Sequence, residues 1–338
     1  MGLPGERPRA EERLRVRVAG RELELSHLDR LLWPEDGLTK ADLIAYLVQV
    51  APHLLPHLRD RPLVCTRYPD GAAGAGFYQK DAPPGTPSWV RTWPYRTREG
   101  RVIRFLLVDE PATLAWLGQQ AAIEIHPWLS TIRHPDRPDW VVFDLDPGPQ
   151  ASFDLAVEVA FWVRRVLEAL DLEGFPKTSG ATGLHVFVPI LPEHPYPVVT
   201  EFARRVAVLV ERMRPDRVTT VRAVASRPPA AVYLDFLQNG LGKTLVTVYG
   251  PRPRPGAPVS VPVTWAELER GVDPAAWNVR TTPARLARVG DLWAAAAARR
   301  RSLAAACRRL GMGEAGGRPV RDPGPVPDPV GPVGTRPR

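Results

Sequence analysis

Cysteine is scarce in this chain, and so are long apolar runs. Cys65 and Cys307 are the only cysteines in 338 residues, too few and too far apart for a disulfide framework or a cysteine-rich zinc site. No apolar run reaches the ~18–20 residues that span a bilayer, and residues 1–10 lack the apolar core of a signal peptide. We therefore expect a soluble cytoplasmic protein in a reducing compartment, with no membrane partner.

Lysine is also rare, so the basic character rests on arginine. Four of the 45 basic residues are lysines, namely Lys40, Lys80, Lys177 and Lys243. Coding bias in a GC-rich genome accounts for most of this, although a lysine that persists can mark a place where a compact charge is needed. The net charge of +8 indicates a polyanionic partner.

The apolar pattern predicts helices that alternate with strands. Residues 13–25 alternate on both sides of Ala19-Gly20, which is typical of a hairpin, and Thr39 caps a helical pattern at 40–55. Short strands and loops are expected over 61–93. The other predicted helices are 114–125, 152–170, 199–213 and 283–310, and the other strands are 141–145, 177–178, 184–189, 232–237 and 244–249, the last two paired as a hairpin.

This order of elements predicts an α+β fold. The β-α-β-β-α-β-β succession is typical of an RRM-like sheet with helices on one face, here preceded by an N-terminal mixed α/β module. We expect a flexible N-terminus at 1–12 and a single domain at 13–310, divided into modules 13–135 and 136–310. Residues 311–338 hold seven prolines and seven glycines, which predicts a disordered tail.

Two carboxylates end the apolar strand that begins at Trp140. Asp144 and Asp146 are two residues apart, so in a strand they lie on one face, roughly 6–7 Å apart at their Cα atoms. Their mutual repulsion favours a bound hard cation, and oxygen ligands suit Mg²⁺ or Mn²⁺ better than zinc. Nucleases, phosphatases and polymerases all remain compatible with such a pair.

A Gly-containing turn and a third carboxylate follow. Ser179-Gly180 to His185 forms a turn whose amides could cradle phosphate, or an ordinary hairpin turn with a partly buried histidine. Asp235 interrupts an otherwise apolar strand, either facing water or as a third ligand. Three carboxylates on adjacent strands would suffice to hold two divalent ions ~3.5–4 Å apart.

Together these motifs resemble the polymerase domain of bacterial ligase D, a member of the archaeo-eukaryotic primase superfamily that acts in non-homologous end joining. The resemblance runs from about residue 25 to 303 and includes Asp144-Leu-Asp146-Pro-Gly and Tyr-Leu-Asp235-Phe-Leu-Gln238. It implies a primase-type fold in which Asp144, Asp146 and Asp235 bind two catalytic ions, Mn²⁺ or Mg²⁺, and Asp235 readies the primer 3′-hydroxyl. The domain at 13–310 is then a primase-polymerase domain, with 13–135 contacting DNA.

The resemblance also implies the remaining ligands. The incoming nucleotide, a ribonucleotide or a deoxyribonucleotide, is expected at Ser179, Gly180, His185, Gln238, Arg252 and His126. Phe77 and Tyr78 resemble an aromatic pair that stacks on template bases, with Lys80 beside them, although both rings could also be plain core. Lys40 and Arg30 align with residues that receive the 5′-phosphate at the far edge of a gap, where a solvated lysine and a surface arginine are the alternatives.

The chain departs from the family pattern at several basic positions. Thr182 stands where relatives often carry a lysine, and Arg227 to Ala231 replaces a basic stretch before the third aspartate. Nucleotide affinity is then either lower or restored by another arginine. These departures leave the three aspartates unchanged.

The function expected from the resemblance is template-dependent addition of nucleotides, preferentially ribonucleotides, to a primer 3′-OH at gaps or double-strand breaks. No Lys-x-Asp-Gly ligase motif is present, so we expect a stand-alone, nucleoid-associated polymerase, with Ku and an ATP-dependent DNA ligase as separate partners. A primase that starts chains de novo and a non-catalytic nucleic-acid-binding module are the alternatives.

Overall fold

A large hydrophobic core runs through the chain in the computed structural model, which describes residues 13–313, and Val64, Phe105 and Trp128 form a second, small cluster. The buried members of the large core extend from Leu23 to Met312. The predictions for 1–12 and for the tail beyond residue 313 lie outside the described residues. No helix in the described part is both long and apolar enough to cross a membrane.

The chain begins with the predicted hairpin and a long helix. Ala19 and Gly20 both have positive φ at the hairpin turn, and the side chain of Thr39 accepts a hydrogen bond from the Asp42 amide at the helix start. Leu43, Leu47 and Leu54 lie fully buried along the helix. The bounds are β1 Arg13–Val18, β2 Arg21–Ser26, β3 Leu31–Trp33, β4 Leu38–Thr39 and α1 Lys40–Leu58.

A first sheet follows, built from short strands. One edge of β5 pairs with β9, and its other edge pairs with β6 and β8, while β7 completes the order at the far side. Trp128 packs edge-on against Phe105 and Tyr95 beside this sheet. The bounds are β5 Leu63–Arg67, β6 Phe77–Gln79, β7 Thr92–Arg96, β8 Val102–Leu106, α2 Pro111–Gln119 and β9 Ala122–Pro127.

The second, central sheet has the strand order β11-β12-β10-β14-β13. All its pairings are antiparallel except β13 with β14. Helices α3 and α4 pack against β10 and each other, which gives the predicted RRM-like arrangement. The bounds are β10 Trp140–Pro147, α3 Phe153–Ala169, β11 Phe175–Thr178, β12 Leu184–Pro189, α4 Tyr196–Met213, β13 Val218–Thr219 and β14 Val232–Asp235.

The segment 244–262 joins the two sheets. Thr244 forms a bridge with Trp128 of the first sheet region, and Lys177 of β11 forms one with Pro262. Short helices then cover this junction, and Trp293 stacks on Trp140 at a ring separation of 5.1 Å. The bounds are β15 Gly250–Pro251, β16 Val259–Ser260, α5 Trp265–Arg270, α6 Thr282–Val289, α7 Leu292–Ala297 and α8 Ala304–Arg309.

Three secondary-structure predictions made from the sequence were wrong. The helix predicted at 114–125 ends at Gln119, and the chain continues as β9. The predicted hairpin between 232–237 and 244–249 does not form, because β14 ends at Asp235 in a 3₁₀ turn at Leu237–Asn239 and its partners are β10 and β13. The single helix at 283–310 is three short helices, interrupted at Gly290 and after Ala297.

Candidate active site on the central sheet

Three carboxylates meet on two neighbouring strands of the central sheet. Asp144 of β10 lies directly opposite Asp235 of β14, and residues opposite each other in an antiparallel pair share a face. Asp146 is on that same face, two residues further along β10. The side chains of Asp144 and Asp235 are largely buried, whereas Asp146 is exposed at the rim.

The environment of these carboxylates opposes their negative charge. Burial and the charge of Asp235 raise the pKa of Asp144 to about 7. Desolvation by the surrounding protein and the charges of Asp144 and Asp235 likewise raise the pKa of Asp146 to about 7. A cation placed among them would reverse both effects, since it favours the ionised form. The all-oxygen donor set fits a hard divalent cation such as Mg²⁺ or Mn²⁺.

The carboxylates are held by local partners. One oxygen of Asp235 accepts a hydrogen bond from the Leu237 amide at 2.7 Å, and the other accepts one from the Gln238 side chain at 3.0 Å. Within residues 13–313 no three acidic, histidine or cysteine side chains are gathered as a ready metal site. Each carboxylate oxygen still keeps lone pairs for a cation.

A histidine and a buried lysine flank Asp144 on its other side. His185 of β12 is paired with Asp144, and its Nε2 lies 3.2 Å from the Asp144 Oδ1. Burial and the nearby charges of Lys177 and Arg252 hold the pKa of His185 well below its ordinary value, so the imidazole is neutral. Lys177 donates hydrogen bonds to the Ser260 Oγ and the Val246 carbonyl.

The turn between β11 and β12 is shaped by glycine. Gly180 has a φ of +68°, and a Cβ there would stand 2.8 Å from the Arg252 Cγ and 2.9 Å from the Ser260 amide, so only glycine fits. The Ser179 Oγ accepts hydrogen bonds from the amides of Ala181 and Gly183. Its hydroxyl hydrogen therefore remains available to donate to a ligand.

Arg252 lies against this turn. Its guanidinium donates to the Ser179 carbonyl at 3.3 Å, and its Nε is 2.9 Å from the Glu124 Oε1. Its positive charge also lowers the pKa of both Asp144 and Asp146, against the larger raising effects. The predicted nucleotide ligands Ser179, Gly180, His185 and Arg252 thus surround the aspartates.

His126 approaches the same place from the first sheet. Its Nε2 lies 3.6 Å from the Glu124 Oε2, and its ring centroid is 6.4 Å from that of Tyr78. This contact joins the nucleotide residues to the predicted DNA residues.

The chain also brings Arg227 to the rim of the site. Its guanidinium lies 3.4 Å from the centre of the Tyr233 ring, and Tyr233 is paired with Asp146. The Arg227 charge opposes the raised pKa of Asp146. An arginine is therefore present near the carboxylates although residues 227–231 depart from the basic stretch of the family, whereas Thr182 is exposed and uncharged.

The predicted template-stacking residues lie in β6 of the first sheet. The Phe77 ring is 44% exposed, so it is not plain core, and Arg67 lies over it at 5.1 Å. Tyr78 is partly buried, with its hydroxyl 3.0 Å from the Thr244 Oγ1. The Lys80 ammonium lies 5.5 Å from the Tyr78 ring centre. This set of rings and cations suits a nucleic-acid strand.

The two predicted 5′-phosphate residues are also close to each other. The Lys40 amide donates to the Arg30 carbonyl at 2.8 Å. Burial and the Arg30 charge lower the pKa of Lys40, which shows that the two cations repel. The guanidinium of Arg30 is exposed and donates to the Pro69 carbonyl. The charge of Asp29 opposes the lowering of the Lys40 pKa only in part, and two adjacent cations would favour a phosphate.

Sequence reasoning missed two residues of this site. Glu124 was given no role by the sequence, although it contacts both Arg252 and Tyr68. Lys177 stood out in the sequence only as a rare lysine, yet it is 1% exposed on the edge strand β11. The scarcity of lysine was the one available signal for it.

The chain is similar to known proteins of one family. The family model described as LigD, primase-polymerase domain, matches residues 39–293. The chain is 31% identical over 270 residues to the bifunctional non-homologous end joining protein LigD of Bacillus subtilis, which covers 80% of this chain and 43% of that protein. It is 33% identical over 322 residues to the multifunctional LigD of Pseudomonas aeruginosa, covering 91% of this chain and 38% of that protein.

A solved structure is similar as well. The polymerase domain from Mycobacterium tuberculosis ligase D, in complex with DNA, superimposes with a TM-score of 0.75 at 32% identity, over 82% of this chain and 99% of that one. The chain spans well under half of the length of the curated LigD proteins cited above. On the extent and order of these matches, the chain belongs to the LigD primase-polymerase domain family.

Proposed function

We propose that this protein is a template-dependent nucleotidyltransferase that extends a primer 3′-OH at gaps or double-strand breaks in non-homologous end joining. The observation that carries the proposal is the meeting of Asp144, Asp146 and Asp235 on one face, beside a glycine turn and Arg252. Carboxylates that can hold cations thus lie beside a guanidinium that can bind phosphate oxygens, and phosphoryl transfer uses both kinds of group.

The protein would divide the reaction among its own side chains. Asp144, Asp146 and Asp235 would hold two divalent ions, Mn²⁺ or Mg²⁺, which when bound neutralise charge on the triphosphate and acidify the primer hydroxyl. Ser179 and Arg252 would hold the triphosphate by donating hydrogen bonds to its oxygens. Gln238 keeps Asp235 oriented through its 3.0 Å hydrogen bond.

The neutral His185 would fix Asp144 from the opposite side, because its Nε2 is within 3.2 Å of that carboxylate. His126 would lie near the nucleotide from the first sheet. These residues position the reacting groups, which is the main contribution a protein makes to phosphoryl transfer.

DNA would run along the first sheet. Phe77 and Tyr78, with Lys80 beside them, would stack on template bases without sequence preference. Lys40 and Arg30 would receive the 5′-phosphate across a gap, because they are neighbouring like charges, Lys40 buried and Arg30 exposed. Ku and an ATP-dependent ligase are the partners proposed for joining the extended ends, which implies work at the nucleoid.

A preference for ribonucleotides is part of the proposal. A de novo primase is the second candidate, since the same carboxylates would serve it. A binding module without chemistry is less consistent with the site, because a buried acidic cluster without cations would repel DNA.

The test is extension of a labelled primer on a duplex with a 5′-phosphorylated gap, with Mn²⁺ and either ribo- or deoxyribonucleotides. We expect templated addition, faster with ribonucleotides, and none with Asp144→Ala. Product formed without a primer would favour the primase. No extension by the native protein in any arm would refute the polymerase proposal.

A further inference from the structure

Glu124 is a buried carboxylate at the boundary between the two sheets. It belongs to β9, its side chain is 9% exposed, and three polar side chains surround it. Its Oε1 faces the Arg252 Nε at 2.9 Å, and its Oε2 accepts a hydrogen bond from the Tyr68 hydroxyl at 3.2 Å. His126 lies on the same oxygen at 3.6 Å.

The state of Glu124 follows from these contacts. Burial alone would raise its pKa, but the nearby His126 and Arg252 outweigh burial and hold the pKa at about 2. Glu124 is therefore ionised at all physiological pH values. Its pairing with Arg252 spans 128 positions of the chain and crosses from the first sheet to the loop beside the central sheet.

Besides Glu124, few groups hold the Arg252 side chain in place. Its backbone carbonyl accepts a hydrogen bond from the Trp33 indole at 3.1 Å, and its guanidinium reaches the Ser179 carbonyl at 3.3 Å. Its side chain passes within 2.8 Å of where a Cβ on Gly180 would lie. Glu124 is the one carboxylate that the described structure pairs with Arg252, so it sets the direction of the guanidinium.

An acidic group here has two opposite effects on a bound triphosphate. Its charge repels the phosphates, and by charge alone its removal should tighten nucleotide binding. Its ion pair with Arg252 orients a five-donor guanidinium whose planar geometry must match phosphate oxygens, and loss of that orientation should weaken binding. The two effects have opposite signs, so a measurement can separate them.

We infer that Glu124 is a positioning residue that aligns Arg252, and with it His126, for the triphosphate of the incoming nucleotide. This inference rests on the proposed polymerase function and assigns a role to a residue outside the metal and nucleotide contacts. If so, the first sheet takes part in nucleotide selection through Glu124, in addition to its proposed contact with DNA.

The experiment measures the nucleotide KM and kcat of gap filling for the native protein and for Glu124→Gln, which keeps the shape and removes the charge. We expect the nucleotide KM to rise about tenfold, the size expected for the loss of one close, buried ion pair. The kcat should change by less than about twofold, since ground-state and transition-state binding fall together. The KM for DNA should not change.

Glu267→Gln is the matched control. Glu267 forms a 2.8 Å ion pair with Arg285, away from the carboxylate strands, so its variant should lose stability and keep the native nucleotide KM. Glu124→Asp preserves the charge and shortens the side chain, so its KM should rise less than that of Glu124→Gln. If Glu124→Gln does not fold, as shown by thermal unfolding, Glu124→Asp decides by whether its nucleotide KM rises.

A double variant tests the route through Arg252. In an Arg252→Lys background, Glu124→Gln should add less than about twofold to KM, because the geometry it controls is already lost. An unchanged or lower nucleotide KM for Glu124→Gln in an active protein would overturn the inference, as would full additivity with Arg252→Lys. Failure of the native protein to extend any primer would instead refute the proposed function, so the two failures are distinguishable.

Discussion

The two sheets of this protein bury different kinds of side chain. The central sheet buries charge: Asp144 on β10, Asp235 on β14 and Lys177 on the edge strand β11 all lie under 10% exposed. The first sheet buries rings and exposes cations, with Trp128 and Phe105 packed inside while Phe77 and the side chain of Arg104 remain exposed. Residues 244–262 and the pair Glu124–Arg252 connect the two.

This difference suggests that the central sheet carries out the reaction and that the first sheet binds DNA. Burying like charges is costly unless a counter-charge arrives, which supports the proposal that the central sheet binds ions and a triphosphate. Exposed rings with nearby cations form a sequence-tolerant surface for bases and phosphates. Variants in the central sheet should therefore affect turnover, and variants in the first sheet should affect DNA affinity.

The largest effect should come from removing one carboxylate. Asp144→Asn keeps the shape of the strand and removes the charge, and we expect kcat for primer extension to fall about 10³-fold because ion binding is lost. Gel-resolved single-turnover extension would measure it, with affinity for gapped DNA followed in parallel. An unchanged kcat would show that the site lies elsewhere.

The next largest effect should come from removing the aromatic ring of Phe77 on the first sheet. Phe77→Ala should weaken binding of gapped DNA about tenfold, the contribution of one stacked base, and leave kcat at saturating DNA near the native value. Fluorescence anisotropy with a labelled duplex would measure this. Loss of kcat without loss of affinity would break the division between the sheets.

Stability should respond to pH through the carboxyl groups. The folded-state pKa values of Asp144 and Asp146 are both raised to about 7. The stability they contribute is thus full below about pH 4, the ordinary pKa of an aspartate, and is lost as the pH rises through 7.

At pH 8 without divalent ions, Asp144→Asn should therefore be more stable than the native protein by about 1–3 kcal/mol. Urea unfolding in chelator at pH 5 and pH 8 would test this. A variant that is equally destabilised at both values would contradict the raised pKa.

The smallest effect should be on the 5′-phosphate. Lys40→Gln should reduce the preference for a phosphorylated over a hydroxyl gap end about three- to fivefold, as expected for one charge in a partly screened site. The same duplex without the phosphate is the internal control. An equal decrease on both substrates would point to a structural role for Lys40.

The central sheet could be predicted well from sequence because its strands are apolar, its helices are periodic and its motifs are spaced in order. Asp144, Asp146 and Asp235 were placed correctly on adjacent strands. The segment after Asp235 could not be predicted, because Asn239 turns inward and pairs with the Val142 backbone, which ends the strand. Nor could the role of Glu124, since its partner Arg252 is close only after folding.

The central claim is that the acidic face of the central sheet is built for divalent cations. Isothermal titration of Mn²⁺ into the native protein and Asp144→Asn, in the presence of nucleotide and at several pH values, tests it most directly. We predict that native affinity rises as the pH passes about 7, where both carboxyl groups ionise, and that the variant binds much more weakly. Equal binding by both proteins, or affinity independent of pH, would contradict it.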